Sequence, residues 1–484
     1  MMIIFKNFIH GEFVDALEGR TLDNFDPSTG VVYAQVVSST KLDVDLATQA
    51  AEEAFSGWSG LTQSARSEWL RKIADGIDRN SQKLAAMESR DQGKPLSLAK
   101  SVDIPRAAAN FRFFASAVEH HLEQSSSMDD TAINYSRREP VGVCGLISPW
   151  NLPLYLLTWK IAPAIACGNT CVAKCSELTP ATANALCEIL REINFPQGVI
   201  NLVHGLGSEV GRAMSAHPKI PLISFTGSTK TAIDIQTQAA PFFKKLSLEL
   251  GGKNPNIIFD DADLDLAVRE SVRAAFTNQG EICLCGSRIL IHESIYEPFK
   301  KAFLAKVSQL KTGDPQDQDT SLGALVSSDH RDKVLAYIER AKSLGGRILC
   351  GGKAPHLEGE LRGGYFVEPT VIEGLAQDCE VIQDEIFGPV VTLQTFRDEN
   401  EALRLANDNI YGLAATFFTR DSSRTHRFSA GLKAGIIWVN TWMKRDLRTP
   451  FGGFKASGVG REGGEHSIDF YTESKNICIE ISGA

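Results

Sequence analysis

The sequence predicts an α/β protein built on mainly parallel sheets. From 141 to 260, short apolar runs alternate with helical spacers: VGVCGLIS, TCVAKC, VINLVHG, LISFTGS and KLSLELGG, with a helix expected over 180–193. Alternation of this kind marks strand–helix–strand connections and a sheet covered by helices. A second set follows, with helices expected near 263–277, 294–309 and 330–343, and strands SRILIHE, VVTLQTF and GIIWVNT. Finally, 484 residues are too many for one core and correspond to roughly three domains.

Ahead of those sets the pattern is helical. Segment 44–57, VDLATQAAEEAFSG, has apolar residues at helical spacing and a terminal glycine. Helical spacing continues through 64–90, and again from Pro105 to about Leu122. Proline suits a first turn, and Asp103 or a neighbour is the expected cap. Residues 133–147 and the C-terminal FYTESKNICIEIS read as extended, the latter free to pair with another element or another subunit.

Composition narrows the class. Hydrophobic residues make up 43% of the chain and the net charge is −9, a soluble balance that argues against a broad nucleic-acid surface. The N-terminus MMIIFKNFIHGEF lacks the apolar core and cleavage site of a signal peptide. The apolar stretch 141–159 approaches membrane-span length, but Pro149, Asn151 and Pro153 interrupt it, so it reads as a strand and turn. A soluble cytosolic protein without a membrane partner is expected. The ten cysteines are scattered, which does not describe a disulfide framework. Cys167, Cys171 and Cys175 fall four apart, but GNT and SELTP break any helix there and no histidine cluster accompanies them, so no metal site is expected.

Three turns are candidates for a dinucleotide. GLGSEVG (205–211) has GxGxxxG rather than GxGxxG spacing. FTGSTKTA (225–232) breaks a strand at Gly227 and enters a helix at Ser228. Its amides and hydroxyl suit a pyrophosphate oxygen, or Ser228 is an ordinary cap. VAKCSELTP (172–180) leaves a strand with Lys174 and presents Glu177 three positions on. That pair suits the hydroxyls of a ribose, and its carboxylate would repel a 2′-phosphate, favouring NAD over NADP. A surface salt pair is the alternative.

The reacting groups come from separate segments. NQGEICLCGS (278–287) carries Cys283 and Cys285 after a glycine-containing break; LELGGKN (248–254) offers Glu249 at a strand end; SPWN (148–151) offers Asn151 on a proline-flanked turn. A thiol, a carboxylate base and an amide donor are the three parts acyl chemistry needs. Each has a plainer reading: the cysteine packs, Glu249 pairs with a lysine, Asn151 stabilises its own turn.

FTGS, LELGGKNPNIIF, the NQGEIC turn, EIFGPVV (385–391) and FGGFKASGVGRE (451–462) resemble, in order and over nearly the whole chain, the aldehyde dehydrogenase superfamily. The resemblance implies that Cys283 attacks an aldehyde, Asn151 and the Cys283 amide hold the oxyanion, hydride passes to NAD, and Glu249 activates water against the thioester. It implies that Lys174 and Glu177 meet the adenosine ribose, Ser228 the pyrophosphate, and Trp150, Glu385 and Phe387 the nicotinamide half, with Glu462 a candidate proton relay. It further implies a Rossmann-like cofactor domain (1–120 and 141–250), a catalytic α/β domain (251–467) and a small β oligomerisation flap (121–140 and 468–484), assembled as a homodimer or homotetramer. Cys175 stands where proline is common and Glu281 where glutamine is frequent.

Within the superfamily, MDDTAINY, VDIPRAAANFRFFAS (102–116) and TWMKRDLRTPFGG (441–453) resemble semialdehyde dehydrogenases of the muconate type. Those act on 2-aminomuconate or 2-hydroxymuconate 6-semialdehyde, whose remote carboxylate suits arginine. Arg106 and Arg445 match the subgroup's carboxylate-binding positions. The plainer reading leaves them solvated, or paired with Asp103 and Asp446 like Arg112 and Arg448. A dehydrogenase of a retinal-like or other aldehyde, a cysteine esterase, and a non-catalytic homologue are the competing functions.

Overall fold

The computed structural model describes residues 2–481. Its first large sheet is doubly wound. Five parallel strands lie in the spatial order Lys245–Glu249, Leu222–Thr226, Val143–Ile147, Thr170–Lys174 and Ile200–Leu202. Strands Val143–Ile147 and Thr170–Lys174 are buried throughout, as expected where helices cover both faces of a sheet. The chain winds outward from Val143 to Leu202, then returns to Leu222 on the other side of Val143–Ile147. The strand order therefore reverses between Val143–Ile147 and Leu222–Thr226, the place where open α/β sheets bind ligands beyond their carboxyl ends.

The second large sheet has seven strands, in the order Arg347–Cys350, Thr370–Glu373, Val390–Phe396, Arg288–His292, Pro255–Ile258, Ala414–Phe418 and Ile436–Val439. All neighbours are parallel except the first pair. The two sheets are joined by Leu250–Asn254, so Glu249 stands where the chain leaves one for the other. A separate antiparallel sheet pairs Thr472–Glu480 with Ala132–Pro140, and the latter with Ser125–Met128.

Helices fall close to the expected spans: Lys41–Ser59, Gln63–Arg79, Ser81–Gln92, Ile104–Glu119, Ala181–Glu192, Leu264–Phe276, Tyr296–Val307 and Ser328–Ser343. Asp103 does not cap the helix at Pro105. It ends a π turn, Ala99–Asp103, and its side chain is turned inward to a buried lysine. The strand Gly458–Val459, expected in the second domain, joins the edge of the first sheet against Leu248 and Glu249. Gly458 has φ +145°, and a Cβ there would overlap the carbonyl of Leu248, so only glycine permits this close pairing. The expected flap boundary at 468 lies inside the helix Gly464–Phe470. Among the described residues, no helix is long and apolar enough to cross a membrane.

Candidate active site

Strand Val143–Ile147 runs on into Ser148–Asn151, and strand Leu222–Thr226 into Gly227 and Ser228. These two turns flank the switch point, and Glu249 ends the next strand over. Opposite them, helix Leu264–Phe276 stops at an irregular turn, Thr277–Gly280, before the strand Arg288–His292. Asn278, Gln279 and Gly280 all have positive φ, of 53°, 55° and 75°. Glycine takes this region freely, but the two non-glycine residues in series are costly there and persist only when their surroundings hold them. Here Gln279 donates to the Ala324 carbonyl (3.3 Å) and accepts from the Gly323 amide (3.3 Å). A Cβ on Gly280 would overlap the Gly388 backbone, which seats the turn against EIFGPVV.

One cavity of about 280 Å³ collects the predicted groups. Asn151, Glu249, Cys283, Arg445 and Glu462 line it together. Trp150, Ser228, Glu385 and Phe387 line it as well. Lys174, Glu177 and Arg106 do not. Lys174 is buried beside the turn, its carbonyl accepting from the Ser148 amide (2.9 Å), and its ammonium reaches Glu177 (3.0 Å) and the Cys175 carbonyl (2.9 Å). Lys174 and Glu177 do form an ion pair at the mouth of the neighbouring strand, but with the lysine buried rather than as a surface pair. Ser228 caps the helix Thr229–Ala239 through the Thr231 amide (3.2 Å). GLGSEVG lies beyond strand Ile200–Leu202, with Glu209 paired to Arg20, and takes no part in the cavity.

Cys283 is half-buried, and burial, reinforced by Glu385 and Glu249, pushes its thiol above the usual range. Cys285 is buried in an apolar cluster with Leu413, Trp438 and Trp442. Glu249 is buried and neither of its oxygens has a hydrogen-bond partner among the described residues; burial and then nearby Glu462 raise its carboxyl well above the usual range. Glu385 accepts from the Gly252 amide (2.9 Å) and is pushed up to about 7, mainly by burial. The Asn151 side chain is fixed by donating to the Glu281 carbonyl (2.8 Å).

Arg445 donates to the Tyr155 hydroxyl (2.8 Å) and lies over the Phe451 ring at 4.1 Å, while Arg106 lies over the Tyr155 ring at 5.9 Å. Neither has a carboxylate partner among the described residues, whereas Arg112 pairs with Asp75 and Asp78, and Arg448 with Asp446. Asp103 pairs with Lys94 instead.

Several contributors escaped sequence reasoning. Asn254 donates to the carbonyls of Cys283 (2.7 Å) and Cys285 (2.9 Å), gripping the loop from both sides. Its position in LELGGKN, five residues after Glu249, was the available signal. His330 donates through Nε2 to the Phe387 carbonyl (2.6 Å) and packs edge-on to Trp150 at 5.1 Å. Lys94, Tyr155 and Asn278 offered only a lysine beside a proline, an aromatic in an apolar run and an asparagine in a turn.

A doubly wound sheet whose switch point opens on a thiol, an unpartnered carboxylate and a carboxamide is the arrangement of a thiol-dependent enzyme acting on carbonyl carbon. The chain belongs to the aldehyde dehydrogenase family, whose sequence model matches residues 13–477. It is similar to the 2-aminomuconic semialdehyde dehydrogenase of Danio rerio, 49% identical over 481 residues, 99% of this chain and 98% of that protein. It is 45% identical to the 2-hydroxymuconic semialdehyde dehydrogenase of Pseudomonas sp. (strain CF600), across 98% of this chain and 99% of that one. Betaine aldehyde dehydrogenase from Staphylococcus aureus, solved with NAD+, superposes with a TM-score of 0.95 at 40% identity, covering 99% of this chain and 95% of that one.

Proposed function

We propose that this protein is an NAD-dependent dehydrogenase of a carboxylate-bearing semialdehyde of the muconate type, which it oxidises to the dicarboxylic acid. The observation that supports it most is the single cavity in which Asn151, Cys283 and Glu249 share space with Arg445, a cation without a carboxylate partner among the described residues. The names of the relatives at 45–49% identity agree with that chemistry.

The residues fit the cofactor. Ser228 opens an eleven-residue helix, Thr229–Ala239, at the switch point, the place for a pyrophosphate. Lys174 and Glu177 stand at the adjacent strand end for a ribose, and Trp150, Glu385 and Phe387 border the reacting groups for the nicotinamide. NAD, when bound there, supplies the hydride acceptor.

The Cys283 thiol gives up its proton to water as its sulfur forms the bond to the aldehyde carbon, and the carbonyl oxygen becomes an oxyanion. A donor aimed at that oxygen counts most in a buried site, and the second N–H of the Asn151 carboxamide, with the Cys283 amide, supplies it. Loss of hydride leaves a thioester on Cys283. Glu249 then takes a proton from water as the hydroxide attacks the thioester carbon, and the carbon–sulfur bond breaks to release the acid. Glu462, hydrogen-bonded to Lys160 (3.0 Å) and packed against the same wall, is a path for that proton outward. Arg106 and Arg445 hold the remote carboxylate. We further infer a cytoplasmic homodimer or homotetramer, with Thr472–Glu480, an edge strand, at the subunit contact.

The test is NADH formation from NAD and fresh 2-hydroxymuconate 6-semialdehyde, beside an uncharged aldehyde such as hexanal. The proposal expects a clear preference for the charged substrate and no NADH from Cys283→Ala. Ester cleavage with no NADH from either aldehyde would make the protein a hydrolase instead.

A further inference from the structure

Lys94 and Asp103 are wholly buried and form an ion pair at 2.6 Å. The same ammonium donates to the backbone carbonyl of Asn151 at 3.0 Å. Asn278 donates to that carbonyl too, at 3.2 Å, so the peptide behind the Asn151 side chain is held by two donors. On its other side, Asp103 ends the π turn Ala99–Asp103 and passes directly into the helix Ile104–Glu119. Arg106 lies in that helix's first turn, three residues after Asp103. One ammonium therefore touches both the turn that carries Asn151 and the residue from which the Arg106 helix starts.

Two further buried carboxyls feel Lys94. Glu88 accepts from the Thr182 hydroxyl (2.6 Å) and the Leu154 amide (3.3 Å), and burial pushes it up to about 7. Glu281 accepts from the Gln92 side-chain amide (2.5 Å) and the Val326 amide (3.2 Å), and burial raises it well above the usual range. A buried ion pair returns little stability relative to an apolar pair of the same volume, because both ions lose their hydration. What a short, directional pair does supply is a fixed separation between the two segments that carry it.

We propose that Lys94–Asp103 is a positioning pair that sets the span between the Asn151 turn and Arg106, and thereby the length of semialdehyde the site accepts. This rests on the reading of Arg106 as a grip for the remote carboxylate. A substrate held at both ends feels a change in that span. A neutral aldehyde, held only at its reacting end, feels only the loosened Asn151 turn.

The experiment is a double-mutant cycle between the pair and Arg106, read as KM and kcat on 2-hydroxymuconate 6-semialdehyde and on hexanal with NAD. The pair is replaced by Lys94→Met with Asp103→Leu, which leaves no unpaired buried charge. The expected result is a rise of about tenfold in KM for the charged semialdehyde and under about twofold for hexanal, vanishing when Arg106→Ala is already present. The kcat values on both substrates fall together, through Asn151. Equal KM losses on both aldehydes, or additivity with Arg106→Ala, would reduce the pair to a structural role and overturn the proposal. If Arg106→Ala alone leaves the charged KM unchanged, the grip itself is wrong and the proposal falls for that separate reason. Should the replaced pair lose its cooperative thermal transition, Lys94→Arg enters the same cycle in its place, with the same outcomes deciding.

Discussion

Glu249 and Glu462 occupy one wall of the cavity and differ in nearly every contact they make. Both are buried. Glu462 accepts from the Trp159 indole (2.6 Å), the Lys160 ammonium (3.0 Å) and the Ser224 hydroxyl (3.2 Å). Glu249, at the end of strand Lys245–Glu249, has both oxygens without a partner among the described residues. Leaving a buried acceptor unsatisfied costs about 1–3 kcal/mol, so such groups concentrate where function needs them. Burial alone therefore does not distinguish a base from a structural carboxylate. The occupancy of its lone pairs does, and by that measure Glu249 can take a proton from water directly, while Glu462, oriented by its three donors, serves only to pass a proton on.

The sharpest way to break this contrast is Glu249→Gln. Steady-state turnover should fall by about 10³-fold, within the range for loss of a general base, while the first-turnover burst of NADH persists. Rapid-mixing measurement of the burst decides: equal loss of burst and turnover would place Glu249 before hydride transfer rather than after it. The pH profile gives an independent arm. Burial and Glu462 hold the Glu249 carboxyl well above the usual range, so it becomes a base only as pH rises, and wild-type turnover should climb with pH. The Gln variant should lose that limb. A limb that survives belongs to another group, with the raised Cys283 thiol first in line.

The same contrast explains what was legible in the sequence. The alternation from 141 to 260 located the five parallel strands of the first sheet and the helix Ala181–Glu192 to within a few residues, because buried parallel strands carry their own hydrophobic signal. The helix Pro153–Ala166 falls partly in the stretch 141–159, which reads as strand and turn. Cys283, Glu249 and Asn151 were legible because each sits where a regular element ends in glycine- or proline-bearing turn chemistry. The strands Thr370–Glu373 and Ala414–Phe418 were not singled out, and neither was the small sheet of Ile3–Phe5, Thr21–Asp26 and Val31–Val37. Their runs are short and lie apart from clear helical partners. Lys94 was illegible for a different reason: its charge is neutralised by Asp103, and nothing local marks a lysine as buried. Asp103 itself read as a helix cap because local pattern cannot see a partner nine residues back. Convergence of loops is a tertiary property, and the contacts of Asn254 and Tyr155 exist only after folding.

Glu462→Gln should cost less than the Glu249 change, about tenfold in turnover, because glutamine keeps an acceptor for Lys160 and the loss falls on proton egress. Burst amplitude and rate should match wild type. A loss as deep as that of Glu249→Gln would mean that Glu462, despite its three donors, shares the role of base, and the rule of lone-pair occupancy would fail here.

The smallest effect tests that rule on cations. Arg445 lines the cavity without a carboxylate partner among the described residues, and Arg448, three residues on, is tied to Asp446 in an exposed pair. Exposed pairs contribute about 0–1 kcal/mol, so Arg448→Ala should change KM for the charged semialdehyde by less than about twofold. Arg445→Ala should raise that KM at least about tenfold and leave hexanal nearly unaffected, as expected when an arginine binds a substrate carboxylate uniformly in ground and transition states. The two variants compare neighbours in one loop, so a shared loop disturbance would move both KM values together. Only a difference confined to Arg445 and to the charged substrate ties the free guanidinium, rather than the loop that carries it, to recognition of the distant carboxylate.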